Sequence, residues 1–345
     1  MLLSRVQREG IDSLAIIGLA KNVGKTTVLN ALIAESRSSG VPVGLLSIGV
    51  DGEERDAWSG RPKPPIRVPG GTWVATAGTC LDLSGGDWEV IASAPVHSLL
   101  GDIYLARSTR PTQVKLAGVP SAEGVRTILR RFQDYGVPLT LVDGAYDRKA
   151  SASPLLTQGA VLVVGASMGR TLQAVVKKVE ETVSIFTLPV VENGLERNAV
   201  ETALRERALM GVSNGELRSL PFSSLLVDRQ VWQAYLTSEE WSALALPGAL
   251  TDRLTQQMLE IGRPLTLLLS DPTRCFATLP TIRRWYRIGG QIRYLHAVRL
   301  VAVAVNPVSP EGFSFDPVEM KKKVQEVVGG IPVVNVVRDA MSNET

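Results

Sequence analysis

A mostly parallel sheet with helices on both faces, followed by a second α/β half, is the architecture this sequence predicts. Three observations carry the prediction. Short apolar runs alternate with amphipathic helical stretches along most of the chain, as they do where parallel strands are joined by crossover helices. The first such junction, Gly18 to Thr26, is rich in glycine and lies between a strand and a helix. The length of 345 residues, with 45% hydrophobic and 21% charged residues, suits one large or two ordinary globular domains and no disorder-prone class.

Taken in order, residues 14–17 read as a buried strand and 27–34 as an amphipathic helix. Residues 42–49 form the second strand, which leads into a polar, proline-rich loop from Asp51 to Pro65. Four β-like runs follow at 66–68, 73–77, 88–92 and 103–106, spaced as hairpins added to the sheet edge. Ser121 caps a helix over 122–135, and 138–144 is a buried strand that ends in Asp143-Gly144. A strand at 160–166, a helix at 171–186 and a strand at 188–191 complete this half. From Asn193 the composition shifts: Glu196-Arg197, Glu201, Arg205-Glu206-Arg207 and the turn Ser213-Asn214-Gly215 mark a charged helical connector. Strands are then expected at 225–227, 244–249, 265–269, 300–305 and 331–337, with helices at 251–261, 279–288 and 317–328. The expected division is therefore 1–192 for a nucleotide-binding domain, 193–221 for the connector and 222–345 for a C-terminal α/β domain. Whether the late strands extend the first sheet or form another is open from the sequence.

Gly18-Leu19-Ala20-Lys21-Asn22-Val23-Gly24-Lys25-Thr26 ends in the Gly-Lys-Thr of a phosphate-binding loop. The standard pattern is G-x-x-x-x-G-K-[ST], and its first glycine falls on Leu19; here Gly18 stands one residue early. Glycines in such a loop let backbone amides wrap phosphate oxygens, with the positive end of the next helix behind them. Gly18, Asn22, Val23, Gly24 and Thr27 belong to that wrap. Lys25 is placed to reach the β- and γ-phosphates, and the Thr26 hydroxyl to ligate Mg²⁺. The longer spacing resembles the loop of dethiobiotin synthetase. Lys21, four residues before Lys25, offers a second positive charge as negative charge builds up on the phosphoryl oxygens. It resembles the signature lysine of the ParA and nitrogenase-iron-protein class, which stands five residues before the invariant one, where this chain has Ala20. A plain solvent-facing lysine is the alternative.

The carboxyl ends of the expected strands, where open parallel sheets bind ligands, carry Gly18, Asp51, Asp143, Gly165, Ser167, Gly248, Asp271 and Asn306. Asp143 is the candidate for a second Mg²⁺ contact, direct or through water; an Asp that only starts a turn is the alternative. Asp51 follows the second strand, where a carboxylate can orient the attacking water or help hold the metal. Glu53, Glu54 and Asp56 share its loop, which also reads as a solvated acidic one. In proteins like dethiobiotin synthetase a strand-end Asn holds the base and a later strand completes the purine pocket. That resemblance makes Asn306 the base-recognition candidate, against an ordinary Asn306-Pro307 turn and with Asn193 as rival.

Other chemistries find little support. The net charge of +3 is small and the basic residues are dispersed, so neither nucleic acid nor an acidic membrane is an expected partner. Cys80 and Cys275 stand far apart, with no disulfide framework or metal spacing, which suits a reducing cytosol. No run approaches 18 apolar residues and the first nine residues lack a signal-peptide core, so a cytoplasmic protein is expected. His97 and His296 are isolated, and no triad or zinc site can be built around them. Ser270-Asp271-Pro272-Thr273-Arg274 reads equally as an anion site or a capped helix start.

Over nearly its whole length the chain resembles phosphate-loop proteins encoded with the adenosylcobalamin-dependent lysine and ornithine aminomutases, regarded as part of their reactivating system. The resemblance lies in Ser47-Ile48-Gly49-Val50-Asp51-Gly52-Glu53, Lys63-Pro64, Val74-Ala75-Thr76-Ala77, Val142-Asp143-Gly144-Ala145 with Arg148-Lys149 and Ala152-Ser153-Pro154, and Val305-Asn306-Pro307 with Ser309-Pro310 and residues 313–316. It implies an ATPase, dependent on Mg²⁺, that binds ATP and a partner enzyme and helps exchange a damaged cobalamin carried by that partner. A homodimer is among the assemblies that this class allows. An ATP-dependent ligase or kinase acting on a small metabolite, like dethiobiotin synthetase, is the second reading. A GTPase metallochaperone is the third, against which stand the lack of an Asn-Lys-x-Asp signature and of a His/Cys-rich tract.

Overall fold

The computed structural model describes residues 2–49, 65–81, 84–144, 153, 156–192, 194–221 and 229–335. The chain divides into two compact units, Met1–Val179 with Arg299–Thr345, and Glu180–Val298.

The first unit begins with α1 (Leu2–Arg8) and β1 (Ser13–Gly18). Every residue of β1 is buried. A strand covered on both faces has no wet side, which is why it reads as a continuous apolar run rather than an alternating one. In α2 (Lys25–Ser38) Val28, Leu29, Leu32 and Ile33 form one buried stripe, the 3.6-residue spacing of a helix laid on a sheet. β2 (Val43–Ile48), β3 (Ile66–Val68), β4 (Trp73–Ala77), β5 (Trp88–Ser98), β6 (Gly101–Ser108), β7 (Thr112–Val114) and β8 (Gly118–Val119) follow. α3 (Ala122–Asp134) starts at Ser121, whose hydroxyl accepts from the Gly124 amide and so satisfies one of the helix's free donors. Its Val125, Ile128, Leu129 and Phe132 pack with Leu46, Leu105 and Val142. Burying each such side chain stabilises by about 1.5–3 kcal/mol. β9 (Leu139–Gly144), β10 (Gly159–Gly165) and α4 (Leu172–Phe186) come next, and within α4 the chain passes into the second unit.

That unit holds α5 (Gly194–Glu206), β11 (Met210–Ser213), β12 (Glu216–Ser219), α6 (Arg229–Ser238), β13 (Trp241–Ala245), β14 (Leu250–Thr251), α7 (Asp252–Ile261), β15 (Thr266–Leu269), β16 (Cys275–Phe276), α8 (Leu279–Arg287) and β17 (Gln291–Tyr294). Its sheet runs β12-β11-β13-β15-β17, with β13, β15 and β17 parallel and β11 antiparallel to both neighbours. Asn214 and Gly215, at φ 52° and 76°, make the tight β11–β12 turn, which needs left-handed backbone at both central residues. Met258, Leu267, Leu269, Trp285 and Ile292 fill a core that belongs to this unit alone.

The chain then returns to the first unit with β18 (Leu300–Asn306), α9 (Pro317–Val328) and β19 (Val333–Asn335). The large sheet runs β19-β18-β10-β1-β9-β2-β4-β6-β5, with β8 beside β2. It is parallel from β19 to β4, and β6 and β5 add an antiparallel hairpin at the edge, where the sequence places it. From β1 the chain crosses to β2 on the β9 side, whereas from β9 it crosses over β1 to β10. The winding therefore reverses at β1, and in open parallel sheets that reversal opens a crevice at the carboxyl ends.

Three sequence expectations change. The division at 192 and 222 gives way to an inserted unit, because β18 and β19 extend the first sheet while the charged stretch 193–221 supplies α5 and the β11–β12 hairpin of the second. Charge on one face of α5 looks like a linker in sequence, yet its Ala199, Val200 and Ala203 are buried against Val212, Ala243 and Leu268. Residues 188–191 do not complete the first half: Val190 makes a single bridge to Tyr294 of β17. The strand expected at 225–227 lies outside the described residues. Among the described residues no helix is long and apolar enough to cross a membrane.

Candidate functional site

The loop between β1 and α2 is held by β10 and the turn that follows it. The Leu19 amide donates to the Val163 carbonyl at 3.1 Å, and the Ser167 hydroxyl donates to the Lys21 carbonyl, also at 3.1 Å. Asn22 sits at φ 58° and Gly24 at φ 101°, so the loop turns twice through left-handed backbone before the helix begins. At Gly24 two observations favour glycine. Its φ disfavours any side chain, and a β-carbon there would come within 2.7 Å of Asn306 Nδ2. Gly165, at the end of β10, matters for the opposite partner: a β-carbon on it would lie 2.6 Å from Val23 Cα. The loop thus lies backbone against backbone on the end of β10, and Val23 is 1% exposed.

α2 begins without a side-chain cap and with no acidic residue in its first turn. α3, α7 and α9 differ: Ser121, Thr251 and Asp316 each bond the first amides of their helix. The amides of Lys25, Thr26 and Thr27 therefore open α2 as donors at the positive end of a helix dipole, behind a glycine turn. This is a geometry suited to an anion.

Lys25 points to the neighbouring strand end. Its Nζ donates to the Gly144 carbonyl at 2.8 Å. Asp143 precedes that carbonyl, in register with Ile16 of β1 on one side and Ser47 of β2 on the other. The Ser47 hydroxyl donates to the Asp143 carbonyl at 3.4 Å. On the far side of the loop, Asn306 at the end of β18 lies against Gly24, and its Oδ1 accepts from the Val308 amide at 3.2 Å. Gly18, Asn22, Val23, Gly24, Lys25, Thr26, Thr27, Asp143 and Asn306 accordingly gather at the carboxyl ends of four adjacent strands, β9, β1, β10 and β18.

Other predicted residues fall elsewhere. Lys21 is in the loop but exposed. Asp51, with Glu53, Glu54 and Asp56, and the rival Asn193 lie outside the described residues. Gly248 and Asp271 belong to the second unit. There Asp271 is 1% exposed and accepts from the Thr273 amide and from the Ser270 and Thr273 hydroxyls, so of its two readings the capped turn is the one present. His97 pairs with Asp102 at the exposed tip of the β5–β6 hairpin. Gly165 and Ser167 were legible as strand-end residues, but nothing in the sequence marked them as the support of the loop. A depression of about 270 Å³, lined by Gly10, Asp12, Val41 and Leu139, lies at the amino ends of β1, β2 and β9, the opposite edge of the sheet. Among the described residues no three His, Cys, Asp or Glu side chains group as a metal cage. Comparisons with protein-family models, with curated proteins and with solved structures yield no match to this chain.

Proposed function

We propose that the chain is a P-loop protein that binds ATP with Mg²⁺, hydrolyses it and remodels a partner enzyme. The observation that carries the reading is the junction of β1 and α2. A Gly-x5-Gly-Lys-Thr loop sits at the winding reversal of a parallel sheet, with the Lys25 ammonium 2.8 Å from the strand end that bears Asp143. The loop amides and the α2 amino end bind and orient the phosphates, and Lys25 balances charge on the transferring group. Thr26 and Asp143 are the residues that would hold Mg²⁺. They fit it, because that ion takes one or two protein oxygens and fills its other positions with water and phosphate rather than needing a cage. When bound, it neutralises charge on the β- and γ-oxygens. Asp51 and Lys21 enter this reading on sequence grounds, as water-orienting and charge-balancing residues.

The partner half of the proposal draws on one feature of the fold and on the sequence resemblance. The inserted unit Glu180–Val298 has its own sheet and core and no phosphate loop, which suits a module that engages something other than the nucleotide. The resemblance described above points to a cobalamin-dependent aminomutase as that partner and to the cytoplasm as the place.

Titration of ATP and GTP against wild type and Lys25→Ala tests the core. The variant is expected to lose hydrolysis by about 10²–10³-fold, with a matching loss of ATP affinity. Equal affinities in the two proteins would sink the P-loop reading. Slow basal hydrolysis that rises on adding a purified aminomutase supports remodelling, whereas phosphate release that requires a carboxylate or amine metabolite moves the assignment to a ligase or kinase.

A further inference from the structure

The loop that joins β18 to α9 starts at Asn306, against the phosphate loop, and is folded back on itself. The Ser309 amide donates to the Phe313 carbonyl at 2.9 Å, the Phe315 amide to the Pro307 carbonyl at 2.9 Å, and Val308 bridges Ser314. This presents two half-buried rings, Phe313 and Phe315, 5.7 Å apart at 65°, on a backbone tied to the residue that touches Gly24. Over Phe313 lies the Arg170 guanidinium, 5.5 Å from the ring centre and paired with Glu311 at 2.7 Å. Arg170 comes from the turn after β10, the strand that supports the phosphate loop. Its side chain is 80% exposed, so this cover is held by an ion pair that water screens heavily.

We propose that this loop is the stacking platform for the base of the bound nucleotide, with Phe313 as the contact face and Arg170 as a displaceable cover. The inference rests on the nucleotide reading above and adds to it an aromatic stacking face for the base. Three features carry it. The platform begins at Asn306, which lies against Gly24 of the phosphate loop. A half-buried aromatic face is a general acceptor for any base. The Arg170 guanidinium that lies over the ring, 5.5 Å from its centre, marks this face as one that takes a partner. Asn306 joins phosphate loop and platform, lying against Gly24 and accepting from the Val308 amide at 3.2 Å.

Two measurements test the platform. Mg·ATP and inorganic tripolyphosphate are titrated against wild type, Phe313→Ala and Phe313→Tyr. Phe313→Ala is expected to weaken ATP by about 10- to 100-fold and tripolyphosphate by less than about 2-fold, while Phe313→Tyr restores ATP binding. In parallel, 8-azido-ATP is photolysed on the full chain and the labelled peptides are mapped, with adducts expected within residues 307–316 or around Arg170 and lost on adding excess ATP. If wild type binds ATP and Phe313→Ala changes neither ligand, or both alike, or if the label falls only elsewhere, the platform is overturned while the P-loop reading stands. A wild type that binds neither ATP nor tripolyphosphate overturns both.

Discussion

The two units present the same kind of edge in different states. At the carboxyl ends of β9, β1, β10 and β18, Gly24 and Gly165 let the loop lie close against Asn306 and the end of β10, and α2 starts with no side-chain cap. At the carboxyl ends of β13 and β15 the chain bonds itself shut. Thr251 caps α7, Asp271 caps the turn after β15, Asp252 accepts from the Thr278 amide and hydroxyl, and β14 pairs with β16 across the top. Parallel topology alone does not make a binding edge. What differs between α2 and α7 is whether a side chain of the protein bonds the first amides of the helix.

This contrast can be broken from either side. The largest effect is expected at Gly165→Ala, whose new methyl would meet the Val23 backbone. It should cost about 1–3 kcal/mol of stability and most of the nucleotide affinity, by denaturation and titration together. Retained affinity would show that the loop does not depend on its seat on β10. Asp271→Ala removes the acceptor of three donors in a site 1% exposed and should cost about 1–3 kcal/mol, leaving ATP affinity unchanged. Loss of ATP binding there would place the second edge within the nucleotide site. Thr251→Ala should cost about 1 kcal/mol through the lost cap, again without effect on ATP.

The smallest effect is one of pH. Burial raises the pKa of Asp252, but hydrogen bonds from the Thr278 amide and from the Thr281 and Thr278 hydroxyls outweigh it and hold the carboxyl below its usual 3.8. A depressed carboxyl adds stability that is present above the unfolded pKa and is lost as pH falls through the folded one. Wild type should therefore exceed Asp252→Asn in stability at pH 7, by less than about 1 kcal/mol given its exposure to water, and the gap should close below pH 4. A gap that widens in acid would contradict the assignment.

Most of the first unit's elements could be read from residues, because β1, β9, β10 and β18 are mostly apolar and their helices carry clear stripes. Partnership between strands could not. Residues 300–306 look the same whether they extend one sheet or found another, since a strand buried on both faces carries no mark of which neighbours bury it. In the site, Lys25, Asp143 and Asn306 could be named because charged or amide groups at apolar strand ends stand out. Gly165 could not, for the same chemical reason that it works: its contribution is the absence of a side chain beside Val23.

The insertion of Glu180–Val298 between β10 and β18 has a consequence for how the molecule is born. The second unit is continuous in sequence, so its sheet can close as soon as β17 leaves the ribosome. The cradle cannot, because Asn306 and the strand that covers the flank of β10 are synthesised afterwards. During that interval β10 lacks its β18 neighbour, and the edge that carries Gly24 and Asn306 is completed late, with the inserted module already formed.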